Sequence, residues 1–220
     1  MRGTLLVAAA LAAGCAPALR QARGPAAVES PDAAAADAAE VHALARRIEA
    51  EPSASRREAM AEQAVAAGQR CERAMPGAPA CEYALAIALG VQARERPTTV
   101  HEGLAQMAAR LRRVATADPR LDRAGPDRVL ALLLLRAPGW PLGPGDPEEG
   151  LAAARRAVAL YPDHAPNQLA LAEALRANGD GDAAHAAARR ALALADAAVA
   201  TGDADAAGWR RDARRLLDAP

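Results

Sequence analysis

Between Asp146 and Asp196 the chain starts, stops and restarts helices at a fixed period. Asp146-Pro147-Glu148-Glu149 has the order of a helix start: a capping side chain, a proline in the first turn, and an acid three residues past the cap. That helix runs to about Tyr161, where Pro162 stops it. A second runs from about Ala165 to Ala177 and ends at Asn178-Gly179. Asp180-Gly181-Asp182 opens a third, to about Leu194. Ala154 and Ala157 recur 34 residues on as Ala188 and Ala191; Pro162 maps to Asp196 and Gly150 to Ala184. Small residues at equivalent positions let helices cross closely, so the pattern predicts stacked antiparallel helix pairs. Composition points the same way. Hydrophobic residues make up 52%, yet Phe is absent and aromatics are 2%. Apolar content rests on Ala, Leu and Val. Ala and Leu favour helix, and the runs of β-branched and aromatic residues that strands want are missing.

The spacing is that of the tetratricopeptide repeat, with Ala and Leu where that repeat usually carries Trp, Tyr and Phe. Ala172, flanked by Leu171 and Leu175, takes the small position of the first helix in the last repeat. Upstream, VHEGLAQMAARLRRVATADP ends at Pro119, and GPDRVLALLLLRA is apolar nearly all round from Leu130 to Leu135, which marks a buried helix. CEYALAIALGVQARE, SRREAMAEQAVAAGQRCERA and AEVHALARRI complete the series. The expected fold is all-α: a tetratricopeptide-like, right-handed array of roughly eight or nine helices in about four antiparallel pairs.

The first residues are a processing signal. Arg2, an apolar run from Leu5 to Ala13, then Gly14-Cys15 follow the order charged, apolar, small. The run is far shorter than the roughly 20 residues a membrane-spanning helix needs. An ordinary secretory site does not require the cysteine; a lipoprotein site does, because its thiol receives the lipid. Leu11-Ala12-Ala13-Gly14-Cys15 resembles that lipobox, with Ala16 following. Residues 1–14 therefore read as a lipoprotein signal peptide, and Cys15 as the lipidation site and membrane anchor. The expected location is the periplasm, with anchorage at the outer membrane. Residues 15–39, mostly Ala, Pro, Gly and acids, read as a disordered tether. Residues 40–220 read as the repeat domain, interrupted by a Pro/Gly/Trp insertion at 137–146. Cys71 and Cys81 flank a Pro-Gly loop in an oxidising compartment. A disulfide is the expected use, with free thiols or a metal site as alternatives.

Charge excludes little but is informative. The chain has 27 basic and 27 acidic residues, and every basic one is arginine. Arginine pairs such as Arg56-Arg57, Arg112-Arg113 and Arg155-Arg156 read as solvated helix faces. A nucleic-acid binder would carry a concentrated basic patch and net positive charge, so no nucleic-acid partner is expected. His42, His101, His164 and His185 form no metal-binding pair. Ser30, Ser53 and Ser55 sit in no nucleophile elbow, and no phosphate loop follows the glycines near Trp140. No enzyme activity, cofactor or metal is expected.

The lipobox at Cys15, the Cys71–Cys81 segment with its following apolar helix, the stretch GPDRVLALLLLRAPGWPLGPGD and the repeat pairs after it together resemble the TatT-component family. These are extracytoplasmic lipoproteins associated with TRAP transporters. The resemblance spans about residues 56–195. It implies an all-helical, membrane-tethered accessory that docks a partner protein, with the periplasmic substrate-binding protein of a transporter for small organic solutes as the partner the family suggests. It brings no catalytic residues. A small-solute carrier and an envelope scaffold lipoprotein with no transport role are the alternatives, and a homo-oligomer is open.

Two places are candidate binding surfaces. In the last repeat, Asn167, Gln168 and Glu173 read as the polar face of a groove lined by first helices. In APGWPLGPGD, Trp140 is the one aromatic side chain among three prolines and three glycines. The favoured reading makes Trp140 a plug over the seam between Leu130–Leu135 and the helix from Asp146. The alternative makes it the lining of a ligand or partner opening.

Overall fold

Alanine decides how close the helices come. The computed structural model describes residues 30–96 and 100–218. They form α1 (Pro31–Ala50), α2 (Ala54–Ala74), α3 (Pro79–Glu95), α4 (Val100–Ala117), α5 (Gly125–Arg136), α6 (Pro147–Leu160), α7 (Ala165–Ala177), α8 (Gly181–Ala200) and α9 (Ala206–Asp218). Each helix packs on the next, in sequential antiparallel pairs. The recurring alanines sit at the crossings: Ala154, Ala157, Ala188 and Ala191 are all fully buried. At Gly150 a Cβ would stand 3.3 Å from the Ala131 carbonyl oxygen and from the Leu135 side chain, so α6 lies hard against α5. Longer side chains fill the centre, where Leu111, Leu130, Leu134 and Tyr83 form the main cluster with Ala153 and Ala154.

The caps fall where the sequence signals them. Asp146 accepts from the Glu149 N–H at 2.9 Å and Asp180 from the Ala183 N–H at 3.1 Å. Gly179 takes φ +82° just past the end of α7.

Three expectations change. The tether was expected to run to residue 39, but α1 already begins at Pro31, capped by Ser30, whose Oγ accepts from the Ala33 N–H at 3.2 Å. Ala34 and Ala38, too small to look like core residues, are buried against α2 and α3. Residues 15–29, with Cys15, and the signal segment lie outside the described residues. The arginines are also not merely solvated faces. Arg57 pairs with Glu95, Arg70 with Asp37 and Glu40, Arg110 with Glu72 and Glu82, Arg112 with Glu149, Arg136 with Glu173, and Arg156 with Asp127. Each pair spans two helices. With alanine between the helices, long side chains at the seam reach across to the neighbour. Finally, the third helix of the sequence pattern continues to Ala200, and α9 closes the array behind it.

Cys71 and Cys81 are joined, with their Cα atoms 5.2 Å apart, closing a loop of sequence separation 10 between α2 and α3. Loop closure of this length predicts a stability loss of roughly 2–3 kcal/mol for Cys71→Ser with Cys81→Ser. Denaturant unfolding of the two proteins measures it; equal midpoints would mean the bond contributes nothing.

Candidate functional site

The odd-numbered helices form one row. α1 touches α3, α5 touches α7, and α7 touches α9, whereas no two even-numbered helices make a comparable contact. The odd row is therefore the inner, compressed side of the array. Its two ends face each other: Arg46 and Glu49 of α1 line the same open cleft of about 800 Å³ as Trp209, Arg211, Asp212 and Arg214 of α9.

Between α3 and α5 the row is held by side chains. Tyr83 Oη donates to Asp122 Oδ2 at 2.8 Å, and Arg128 Nη2 donates to the same oxygen at 2.7 Å. Burial pushes the Tyr83 phenol far above its ordinary range, so it remains a donor. Asp122, Arg123 and Ala124 take φ of 48°, 53° and 64° in succession. Three non-glycine residues in the left-handed region cost on the order of 1 kcal/mol each. The turn persists because Arg128 Nη1 donates to the carbonyls of Asp122 and Arg123. Asn167 Nδ2 donates to the Arg123 carbonyl at 3.1 Å as well. No sequence signal marks this turn, since it contains no glycine until Gly125. Beside it, His42, Tyr83 and Asp122 line a smaller cavity of about 390 Å³ that Arg46 also borders.

The sequence candidates separate. Asn167 and Gln168 do not face the groove. Asn167 is fully buried, donating also to the Ala157 and Tyr161 carbonyls and accepting from Arg128. Gln168 is buried, with Nε2 donating to the Pro162 carbonyl at 2.8 Å. Both spend their polarity on loop carbonyls that would otherwise be buried unpaired. Glu173 is half-exposed and held by Arg136 at 2.8 Å, at the edge of a cavity shared with Arg176 and Asp212. Trp140 is no plug: it is 89% exposed. The seam it was expected to cover is closed by Leu130, Leu134, Ala153 and Ala154, with Leu135 and Leu151 beside them.

The cleft's charges are unequally engaged. Glu49 is held by Arg94 at 2.6 Å, and Asp212 is paired with Arg215. Arg46, Arg211 and Arg214 have no carboxylate partner in the described structure. The α9 wall also carries the half-buried Trp209, which meets the His164 ring edge-on at 5.7 Å. Among the described residues no group of three His, Cys, Asp or Glu side chains could hold a metal, and no helix is long and apolar enough to cross a membrane.

His164 makes this face sensitive to acid. Burial, with Arg128 and Arg123 near by, pushes its imidazole down to about 4 from an ordinary 6.5, against the weaker pull of Asp122 and Asp203. His42 is lowered by burial too, opposed by Asp122 and reinforced by Arg46. The unfolded chain then binds more protons than the folded one between those values. Stability is complete above about pH 6.5 and falls as pH drops toward 4. Because His164 is only half-buried, its share is on the order of 1–2 kcal/mol. The carboxyls of Glu95 and Glu149, held low by arginines, add to the slope only in more acid solution. Melting curves between pH 7 and 5 should shift downward, and the shift should shrink in His164→Asn. An unchanged slope in that variant would remove His164 as its source.

Fold and site together define a class: a repeat-like, all-α array of helix pairs with an open inner face, an architecture suited to protein–protein interaction. No protein-family model matches the chain, and no curated protein does either.

Proposed function

We propose that this chain is a non-catalytic, membrane-tethered periplasmic repeat protein that docks a partner protein in the cleft between α1 and α9. The observation that carries the reading is the set of unpaired guanidinium groups, Arg46, Arg211 and Arg214, on opposite walls of that cleft. Other arginines, among them Arg47, Arg73, Arg155 and Arg189, also make no ion pair among the described residues. What sets Arg46, Arg211 and Arg214 apart is that they converge on one cleft around a half-buried tryptophan, as the anchors of protein interfaces do. The lipobox at Cys15 supports the tether. The likeness to TatT-component lipoproteins supports the partner's type, a substrate-binding protein of a TRAP-type transporter.

Affinity capture from native envelopes tests it. The unaltered chain should retain a periplasmic substrate-binding protein, and Arg211→Glu with Arg214→Glu should lose it without moving the melting curve. The same partners captured by both proteins would overturn the cleft as the docking site. Mass spectrometry of the mature N-terminus should find Cys15 acylated; an unmodified terminus elsewhere would end the tethered reading.

A further inference from the structure

The loop from Ala137 to Gly145 exposes large apolar side chains that none of the described residues covers. Its nine residues, APGWPLGPG, carry no charge. Trp140 and Leu142 are 89% and 62% exposed, and Met75 is the only other large apolar side chain exposed among the described residues, at 37%. The backbone beneath them is closed upon itself. Gly145 N–H donates to the Pro138 carbonyl at 2.8 Å, Leu142 N–H to the Gly139 carbonyl at 2.9 Å, and Gly143 N–H to the same carbonyl at 3.2 Å. Asp146 N–H ties the loop to the Leu134 carbonyl at 3.0 Å. Pro138, Pro141 and Pro144 have no N–H to satisfy. At Gly145 a Cβ would stand 2.7 Å from the Pro138 carbonyl oxygen, so only glycine lets the two arms of the loop meet there. These bonds and the three proline rings hold the tip rigid. The Trp140 N–H and the Trp140, Pro141 and Leu142 carbonyls make no bond within the loop, and at the headgroup level they remain within reach of water and polar lipid groups.

We propose that the Trp140–Leu142 tip inserts into the interfacial zone of a lipid bilayer. Three observations favour lipid over a protein pocket. The apolar area is a point rather than a patch: ion pairs, Arg136–Glu173 and Arg112–Glu149, stand at the loop's base. Two side chains expose at most roughly 400 Å², below the ~800 Å² per partner of a stable protein interface. Tryptophan, with an apolar ring and one N–H, partitions to the headgroup level, beside leucine in the acyl boundary. Position also allows it. The loop leaves the end of the array where α5 finishes, opposite the end where α1 starts. The chain from Cys15 to Ser30 can reach about 50 Å, more than the ~30 Å length of α1, so a chain anchored at Cys15 can lay its far end on the same membrane. The inference rests on the tethered reading for this anchorage, which raises the tip's effective concentration at the surface. It makes no use of the α1–α9 cleft.

The test uses the full chain on vesicles of phosphatidylethanolamine and phosphatidylglycerol, with and without brominated acyl chains. In Trp209→Phe only Trp140 emits. Its emission should shift to the blue on the vesicles and fall by roughly half with brominated lipid, as expected for a ring at the headgroup–acyl boundary. Trp140→Phe, which leaves only Trp209, should show no quenching. Leu142→Asp in the Trp209→Phe background should restore most of the lost emission. A chain that floats with the vesicles while Trp140 stays unquenched overturns the tip proposal alone. A chain that does not float, with Trp140 unshifted at excess lipid, overturns the anchorage as well. Shielding of Trp140 without lipid, rising with protein concentration, would assign the tip to a second copy of the chain and overturn the lipid reading.

Discussion

Gly125→Ala should lower the unfolding free energy by about 3 kcal/mol, combining overpacking with the loss of a buried hydrogen bond. The added Cβ would collide with the Tyr83 hydroxyl and stand 2.6 Å from Asp122 Oδ2. Both atoms belong to the hydrogen bond that joins α3 to the left-handed turn before α5. Neither can yield easily: the tyrosine is 1% exposed, and the aspartate also receives Arg128. The helix propensity gained by replacing glycine is roughly 1 kcal/mol and does not offset this. Removing the hydroxyl should restore part of the loss, so a cycle with Tyr83→Phe separates collision from propensity. Denaturant midpoints measure all four proteins. A Gly125→Ala chain as stable as the parent would mean that α3 and α5 are not coupled through this contact.

Asn167→Leu should be comparably damaging, at roughly 3 kcal/mol, because a buried network loses its centre. The side chain donates to the Arg123, Ala157 and Tyr161 carbonyls and accepts from Arg128. Leucine matches its size but leaves those groups unsatisfied, and it frees the guanidinium that holds the strained turn at Asp122–Ala124. The loss should appear in thermal unfolding and as faster amide exchange in residues 118–125. A residue on an open groove would instead tolerate the change within about 0.5 kcal/mol. Stability that near the parent's would return Asn167 to the surface.

Those two positions show where sequence patterns stop carrying information. The breaks at Pro162 and Asn178-Gly179 announce α6, α7 and α8, because proline and glycine act locally and their effect does not depend on what surrounds them. The amphipathic face of α7 is harder to place. In a helix of Ala and Leu, burial leaves a weak trace, so Asn167 and Gln168 resemble solvent-facing residues. They are buried because the Asp118–Ala124 turn and the Tyr161–Pro162 corner fold over them with carbonyls to satisfy. The first helix was underestimated for a related reason: Ala34 and Ala38 pack by being small, and smallness in an alanine-rich stretch looks like slack.

Trp140 was misplaced by the opposite argument, that a large aromatic ring belongs in the core. The seam beneath it was already closed by leucine and alanine, and the loop's own hydrogen bonds hold it outward. What the sequence by itself determined is what acts over a few residues: helix starts and stops, the repeat period and the Cys71–Cys81 spacing. The tertiary structure alone decided which helices line the inner face, which arginines remain unpaired there, and which polar residues are buried. Those properties depend on partners distant in the chain, brought together only when the helix pairs stack.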